Sequence, residues 1–317
     1  MSARPLRIGT RASALALWQA HHVEGLLNAQ RAGVPVELVH ISTAGDLQGE
    51  VPLWQAEGRA FFTKEIDRAL LEGTIDVAVH SLKDLSTELE SGLTLAATLA
   101  RADPRDALLT RAGVTLAQLP PGARVGPSSL RRRAFLTRTR PDLRHAELRG
   151  NVPTRIERLK NGDYDAIILA AAGLARLNLL DQVSELLPPE LFAPAVSQGI
   201  IGICARTSDA ATLRRLLPLD DREARLAASA ERALLRRIEG GCQVPLGALA
   251  TVTDRMLRLQ AQVCALDGSR FLSAQGAGPA SIADAVSLGQ RVADDLLAHG
   301  AGELMARERA RLSVDAP

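Results

Sequence analysis

A cysteine set between two glycines and a proline is placed to act as a nucleophile. In Ile238-Glu239-Gly240-Gly241-Cys242-Gln243-Val244-Pro245-Leu246-Gly247, a long charged and leucine-rich segment ends and an alternating, strand-like one begins. Adjacent glycines permit a turn that a residue with a Cβ follows only at a cost, and proline fixes the exit. The Cys242 thiol is thereby held on an exposed loop, where its thiolate can attack an electrophilic carbon. Taken alone, the stretch also reads as a sharp helix-to-strand turn with an incidental cysteine. The other two cysteines differ: Cys204 sits among isoleucines and Cys264 within a strand pattern, both packing positions. Three cysteines, far apart and odd in number, indicate neither a disulfide framework nor a zinc site, so no metal is expected.

A second chemical site lies at Ser81-Leu82-Lys83-Asp84. The run Ile75-Asp76-Val77-Ala78-Val79-His80 is apolar enough for a strand buried on both faces. In open α/β sheets, ligands gather beyond the carboxyl ends of strands. This strand empties into a hydroxyl, a cation and a carboxylate. Lysine occurs only at Lys64, Lys83 and Lys160, which singles out Lys83. The plainer reading is a capped turn with a Lys83–Asp84 surface ion pair. Asp46, Glu65 and Asp106 are competing carboxylates, and none has an equally informative strand-end setting.

Arginines recur where strands run into helices. They are Arg11, two residues before Ser13, then Arg131, Arg132 and Arg133 after Ser128-Ser129, then Arg149 before Gly150-Asn151, Arg155 a turn later, and Arg176. Cations at a helix start oppose the helix dipole, whereas an anion there meets free backbone N–H groups. Guanidinium groups hold carboxylates through paired hydrogen bonds. The pattern therefore implies a polyanionic ligand, with a solvated basic face as the alternative; Arg133 reads as solvent-facing. There is no GxxxxGK phosphate loop and no GxGxxG fingerprint.

The elements that must position these groups alternate. Strands are expected at residues 5–10, 34–39, 75–80 and 93–100, with helices from Ser13 and over residues 61–71, and Thr10 or Ser13 as the first cap. Residues 47–60 read as a flexible loop, and Arg101-Ala102-Asp103-Pro104-Arg105-Asp106-Ala107 as a charged crossing and first hinge. A second α/β lobe follows, with strands near Val125, at residues 145–148 and at residues 166–170. Residues 195–204 read as the chain returning to the first lobe, which makes a hinged cleft. A helix over residues 220–238 leads to the Cys242 loop. Strands at 246–253, 256–267 and 270–275 and helices at 284–297 and 301–310 complete the chain, with Gly268 in a hairpin. The fold class is α/β: two lobes with mixed sheets, spanning 1–99 with 197–220 and 100–196, plus a small α+β domain at 221–317.

Composition narrows the function. The chain has 317 residues with 46% hydrophobic content, enough for two or three domains. A net charge of +2 advertises no nucleic-acid binding, and 3% aromatic content disfavours a base-stacking surface. No run of about 18 apolar residues and no signal-peptide pattern is visible. A monomeric, cytoplasmic protein without membrane or nucleic-acid partners is the expectation.

Six segments, in this order and spacing, resemble the porphobilinogen deaminase (hydroxymethylbilane synthase) family along essentially the whole chain. They are Arg11-Ala12-Ser13, Val79-His80-Ser81-Leu82-Lys83-Asp84, Asp103-Pro104-Arg105-Asp106, Ser128-Ser129-Leu130-Arg131-Arg132, Leu148-Arg149-Gly150-Asn151 and Glu239-Gly240-Gly241-Cys242-Gln243-Val244-Pro245. The resemblance implies a three-domain cytoplasmic transferase whose first two domains look like periplasmic-binding-protein lobes. It implies head-to-tail joining of four porphobilinogens with loss of ammonia, then release of the linear tetrapyrrole by water. It also implies a dipyrromethane primer held through a thioether at Cys242. Asp84 is then the catalytic carboxylate. Lys83, Ser129, Arg131, Arg132, Arg155 and Asp84 hold the primer, and Arg11, Ser13, Ser81, Arg149 and Arg176 serve substrate or growing chain. Two departures stand out. Gly58-Arg59-Ala60-Phe61-Phe62 replaces a glycine-lysine-glycine-leucine-phenylalanine loop, and Ser197 stands where glycine is common. The reading from another class is a non-catalytic, two-lobed binding or sensor protein for an acidic metabolite.

Overall fold

The computed structural model describes residues 4–30, 35–43, 63–238 and 245–314. The chain begins with β1 (Leu6–Thr10), α1 (Ala14–Ala29), β2 (Val36–His40), α2 (Lys64–Leu71), β3 (Val77–Ser81) and β4 (Leu93–Thr98). Then come β5 (Asp106–Thr110), β6 (Arg124–Pro127), α3 (Leu130–Thr139), β7 (Arg144–His145), α4 (Val152–Lys160), β8 (Ala166–Ala170), α5 (Ala171–Arg176) and β9 (Glu185–Leu187). They are followed by β10 (Ile201–Arg206), α6 (Ala210–Leu216) and α7 (Arg222–Arg237). The last part holds β11 (Leu246–Thr253), β12 (Met256–Cys264), β13 (Phe271–Pro279), α8 (Ile282–Ala298) and α9 (Ala301–Val314).

Two compact units emerge. The first holds Gly199–Arg225 and the described residues before Asp103; the second holds Asp103–Gln198 and the described residues from Leu226 onward. The first unit's sheet has the order β2-β1-β3-β10-β4. β1 is parallel to β2 and β3, while β10 runs antiparallel to β3 and β4. Ile8, Val77, Val79 and Ile203 pack with Ala20, Val23 and Leu27 of α1. α2 also lies against β3. A strand covered on both faces needs near-continuous apolar residues, and β3 and β10 have them.

The second unit holds a matching five-stranded sheet, β7-β6-β8-β5-β9, and the antiparallel meander β11-β12-β13. β6 is parallel to β7 and β8; β5 is antiparallel to β8 and β9. In each five-stranded sheet the antiparallel strand is thus the one that directly follows a passage between units. Leu257, Leu259, Ala261 and Val263 of β12 pack with Leu288, Val292 and Leu296 of α8.

The structure corrects several sequence expectations. Asp106 and Ala107 open β5 rather than belonging to the crossing, because ion pairing lets a carboxylate start a buried strand. The strand expected over 145–148 shortens to β7, β13 runs on to Pro279, and β9 and α6 carry no sequence expectation. Ser13, not Thr10, caps α1. At the return passage, Gly199 has φ +91, and a Cβ there would lie 2.5 Å from the Ala102 carbonyl oxygen. Only glycine allows that approach, which the Ala102 N–H to Gly199 carbonyl bond of 3.1 Å uses. Ser197 has φ +62, which explains why glycine suits that position and shows the departure to be strained.

Candidate active site

In the first unit, β3 carries its last residue, Ser81, into a single tight turn, Leu82–Asp84. Buried Leu82 and Leu85 hold the turn from below, and the Leu82 N–H bonds the Ile200 carbonyl at 2.9 Å. Lys83 and Asp84 between them are set by packing rather than by their own charges. Asp84 is exposed and makes no hydrogen bond or ion pair among the described residues. The Lys83–Asp84 surface pair is therefore not formed. Ser81 Oγ accepts a 2.8 Å bond from Nε2 of Gln19, itself buried on α1. Ser13 Oγ caps α1 by accepting the Ala16 N–H at 3.4 Å, and Arg11 lies just before that helix start. Burial, reinforced by the Arg11 charge, pushes the His80 imidazole down to about 4, so it is neutral near pH 7.

In the second unit, Ser129 caps α3, its Oγ accepting the Arg132 N–H at 3.3 Å. Arg131 and Arg132 follow within the first turn and are both buried, while Arg133 is exposed. Two buried cations at a helix start demand an anion, and the chain supplies one itself. Asp106, fully buried, lies 2.8 Å from Arg131 Nη1 and 2.7 Å from Arg132 Nη2. Burial alone would lift the Asp106 pKa; the two guanidinium charges outweigh it and hold the carboxyl well below the usual range. Arg132 also donates to Asp106 through Nε, and through Nη1 to Ser128 Oγ and the Ile168 carbonyl, both at 3.0 Å. Four of its five N–H groups are thereby consumed by the protein. Arg131 spends only Nη1, which also reaches the Ala193 carbonyl at 2.6 Å. Its Nε and Nη2 have no protein acceptor among the described residues.

Further along the same sheet, Gly150 (φ +100) turns the chain from β7 into α4, and Asn151 caps that helix through the Thr154 N–H at 3.0 Å. The hydroxyl of buried Tyr164 donates to the Glu147 carbonyl and pins the approach to this turn. Arg155 Nε donates to the Gly150 carbonyl at 2.7 Å. The Arg149 Nε is buried with no hydrogen-bond partner; its nearest carboxylate oxygen, on Glu147, is 3.8 Å away. Burial lowers the Arg149 pKa. Arg176 closes α5, and burial pushes its guanidinium down to about 10. An orphaned guanidinium donor and two spare ones on Arg131 fit a ligand rich in carboxylates.

Cys242 lies outside the described residues, as do Asp46, residues 47–60 and Arg59 with its neighbours. Cys204 and Cys264 are buried and in no disulfide, and burial lifts Cys264 to about 11, which keeps it un-ionised at neutral pH. No group of three metal-ligating side chains occurs among the described residues, and no described helix is long and apolar enough to cross a membrane. Sequence reasoning passed over Gln19, Tyr164 and the pairing of Asp106. The signal for the last was present, as an aspartate inside a short motif of alternating charges, Asp103-Pro104-Arg105-Asp106.

The sheets and these groups define a two-lobed α/β protein with a small α+β appendage, carrying arginines with unspent donors and an exposed carboxylate just past a strand end. Residues 6–214 match the porphobilinogen deaminase dipyromethane cofactor binding domain, and residues 225–298 the porphobilinogen deaminase C-terminal domain. The porphobilinogen deaminase of Roseiflexus sp. (strain RS-1) is 51% identical over 95% of this chain and 98% of its own length. That of Syntrophotalea carbinolica is 47% identical over 96% of each. Among solved structures, an arginine-specific periplasmic binding protein of Salmonella typhimurium aligns with a TM-score of 0.40 at 14% identity, over 68% of this chain and 92% of its own. The chain belongs to the porphobilinogen deaminase family.

Proposed function

We propose that Asp84 is the catalytic carboxylate of this transferase and that Cys242 anchors its primer, in a monomer acting in the cytoplasm. The reaction is the head-to-tail condensation of four porphobilinogens with loss of ammonia, on a covalently bound dipyrromethane, followed by hydrolytic release of hydroxymethylbilane (EC 2.5.1.61). When bound, the dipyrromethane supplies the pyrrole ring on which the chain is built. Asp84 is exposed just past a strand end and makes no hydrogen bond or ion pair among the described residues, so its charge is available to pyrrole N–H groups and to positive charge developing beside them. Lys83, Ser129, Arg131, Arg132 and Arg155 hold the carboxylates of the primer. Arg11, Ser13, Ser81, Arg149 and Arg176 bind the acetate and propionate groups of substrate and growing chain. The observation that carries the reading is the set of unspent donors on Arg131 and Arg149.

The test is intact and peptide mass. A dipyrromethane adduct on the peptide containing Cys242, lost in Cys242→Ala, is the expected result. An adduct on Cys204 or Cys264, or none in a fully active sample, would overturn it.

A further inference from the structure

Asp106 lies away from solvent and has no place in the chemistry just described, yet it is a heavily bonded carboxylate of the second unit's core. Besides Arg131 and Arg132 it holds Gln198, whose Nε2 donates to Asp106 Oδ1 at 2.9 Å and to the Pro104 carbonyl at 2.8 Å. Gln198 is itself buried. One stretch of the unit begins at Asp103 and ends at Gln198, and the chain enters the unit again at Leu226. The two ends of that stretch are thus tied to one carboxylate, and so are two arginines at the start of α3.

We infer that Asp106 is a positioning residue, which orients Arg131 and Arg132 for primer binding and fastens both ends of the Asp103–Gln198 stretch to that pair. This rests on the reading that Arg131 and Arg132 hold the primer. The geometry separates the two arginines. Asp106, Ser128 and Ile168 fix the Arg132 fork in place. The Arg131 fork is held at one nitrogen, with Nε and Nη2 left to point at an anionic ligand. Without Asp106 two like charges would face each other in a buried setting, and each would swing toward solvent. Gln198 contributes no charge, so it serves the ends of that stretch and not the arginines.

Primer loading per folded molecule, read by intact mass, is measured for Asp106→Asn, Asp106→Glu, Gln198→Leu and Arg132→Leu. Amide exchange over residues 103–106 and 195–199 is followed in parallel. Asp106→Asn is expected to lower loading about tenfold, the factor carried by one charge-assisted contact, with Asp106→Glu restoring most of it. Gln198→Leu is expected to load as the parent does while exchange at both segments rises. If Arg132→Leu loads poorly but Asp106→Asn loads normally, Asp106 does not position the pair and the primer reading stands. If Arg132→Leu loads normally, the primer reading falls and this inference with it. Should Asp106→Asn not be recovered folded, Gln198→Leu decides: lost loading or unchanged exchange would each overturn the inference.

Discussion

At the scale of single residues, Asp84 and the arginines make separable predictions. Asparagine at position 84 keeps the shape and removes the charge; glutamate keeps the charge and moves it by one methylene. General acid–base terms alone are worth about 10²–10⁴-fold. Asp84→Asn is expected to lose at least that much in single-turnover elongation on primer-loaded protein, and Asp84→Glu less. Elongation by Asp84→Asn within about threefold of the parent, well below that range, would move the chemistry to another carboxylate. Arg149→Leu and Arg176→Leu should stall elongation at particular intermediates, each lost contact weakening binding by about 1.5–3 kcal/mol. Separation of enzyme-bound intermediates by mass reads this directly; unchanged product formation in both would remove them from the site.

The setting of the candidate residues was legible in the sequence where it comes from a local motif. Ser81-Leu82-Lys83-Asp84 declares a strand end, and Ser129 before Arg131 and Arg132 a helix start. What stayed hidden was pairing across distance. Asp106 and Arg132 are 26 positions apart, and only the antiparallel placement of β5 beside β8 brings them together. The arginine pair therefore looked in sequence as though it required a ligand, although the protein already partly neutralises it.

At the scale of elements, β3 and α2 carry two buried ionisable groups with opposing effects. Burial raises Asp67 of α2 to about 6, with the Glu90 charge adding. Burial lowers His80 of β3 to about 4. A raised carboxylate contributes stability that is present below its unfolded value and lost as pH rises through about 6. A lowered imidazole contributes stability that is present above its unfolded value and lost as pH falls from about 6.5 toward 4. Across this window the two slopes oppose. Asp67→Asn should make stability rise more steeply with pH between 4 and 6.5, and His80→Met should make it fall. Each difference is on the order of 2–3 kcal/mol at its extreme. Denaturant titrations across the window measure both; parallel profiles for parent and variants would refute the assignment. Ser197 offers a simpler case. Its left-handed backbone and its buried Oγ without a hydrogen-bond partner predict that Ser197→Gly raises stability by about 1 kcal/mol, read as a higher unfolding midpoint.

For the whole molecule, alternating apolar runs revealed the lobes, but strand order was out of reach of local pattern. Nothing near Ile201–Arg206 announces that it will lie between β3 and β4. One site that adds four substrates has to change as its product grows. Amide exchange over residues 101–106 and 195–199 is expected to differ between resting and partly elongated protein. Identical profiles would place the movement elsewhere.

The position of β10 also sets a schedule for biosynthesis. Among the described strands β4 pairs only with β10, and β3 has no second neighbour until β10 arrives. The strands β5 to β9 lie in one uninterrupted stretch, so their sheet can close while the first is still incomplete. At roughly 5–20 residues per second on a ribosome, the hundred or so residues between β4 and β10 keep the amino-terminal lobe waiting about 5–20 s. During that interval unpaired strand edges are open to capture by chaperones or by other nascent chains. Ribosomes stalled before Ile201 emerges should carry a protease-resistant middle segment and a sensitive amino-terminal one. Stalling after Arg206 has emerged should protect both, and early protection of the first lobe would show that it folds without its borrowed strand.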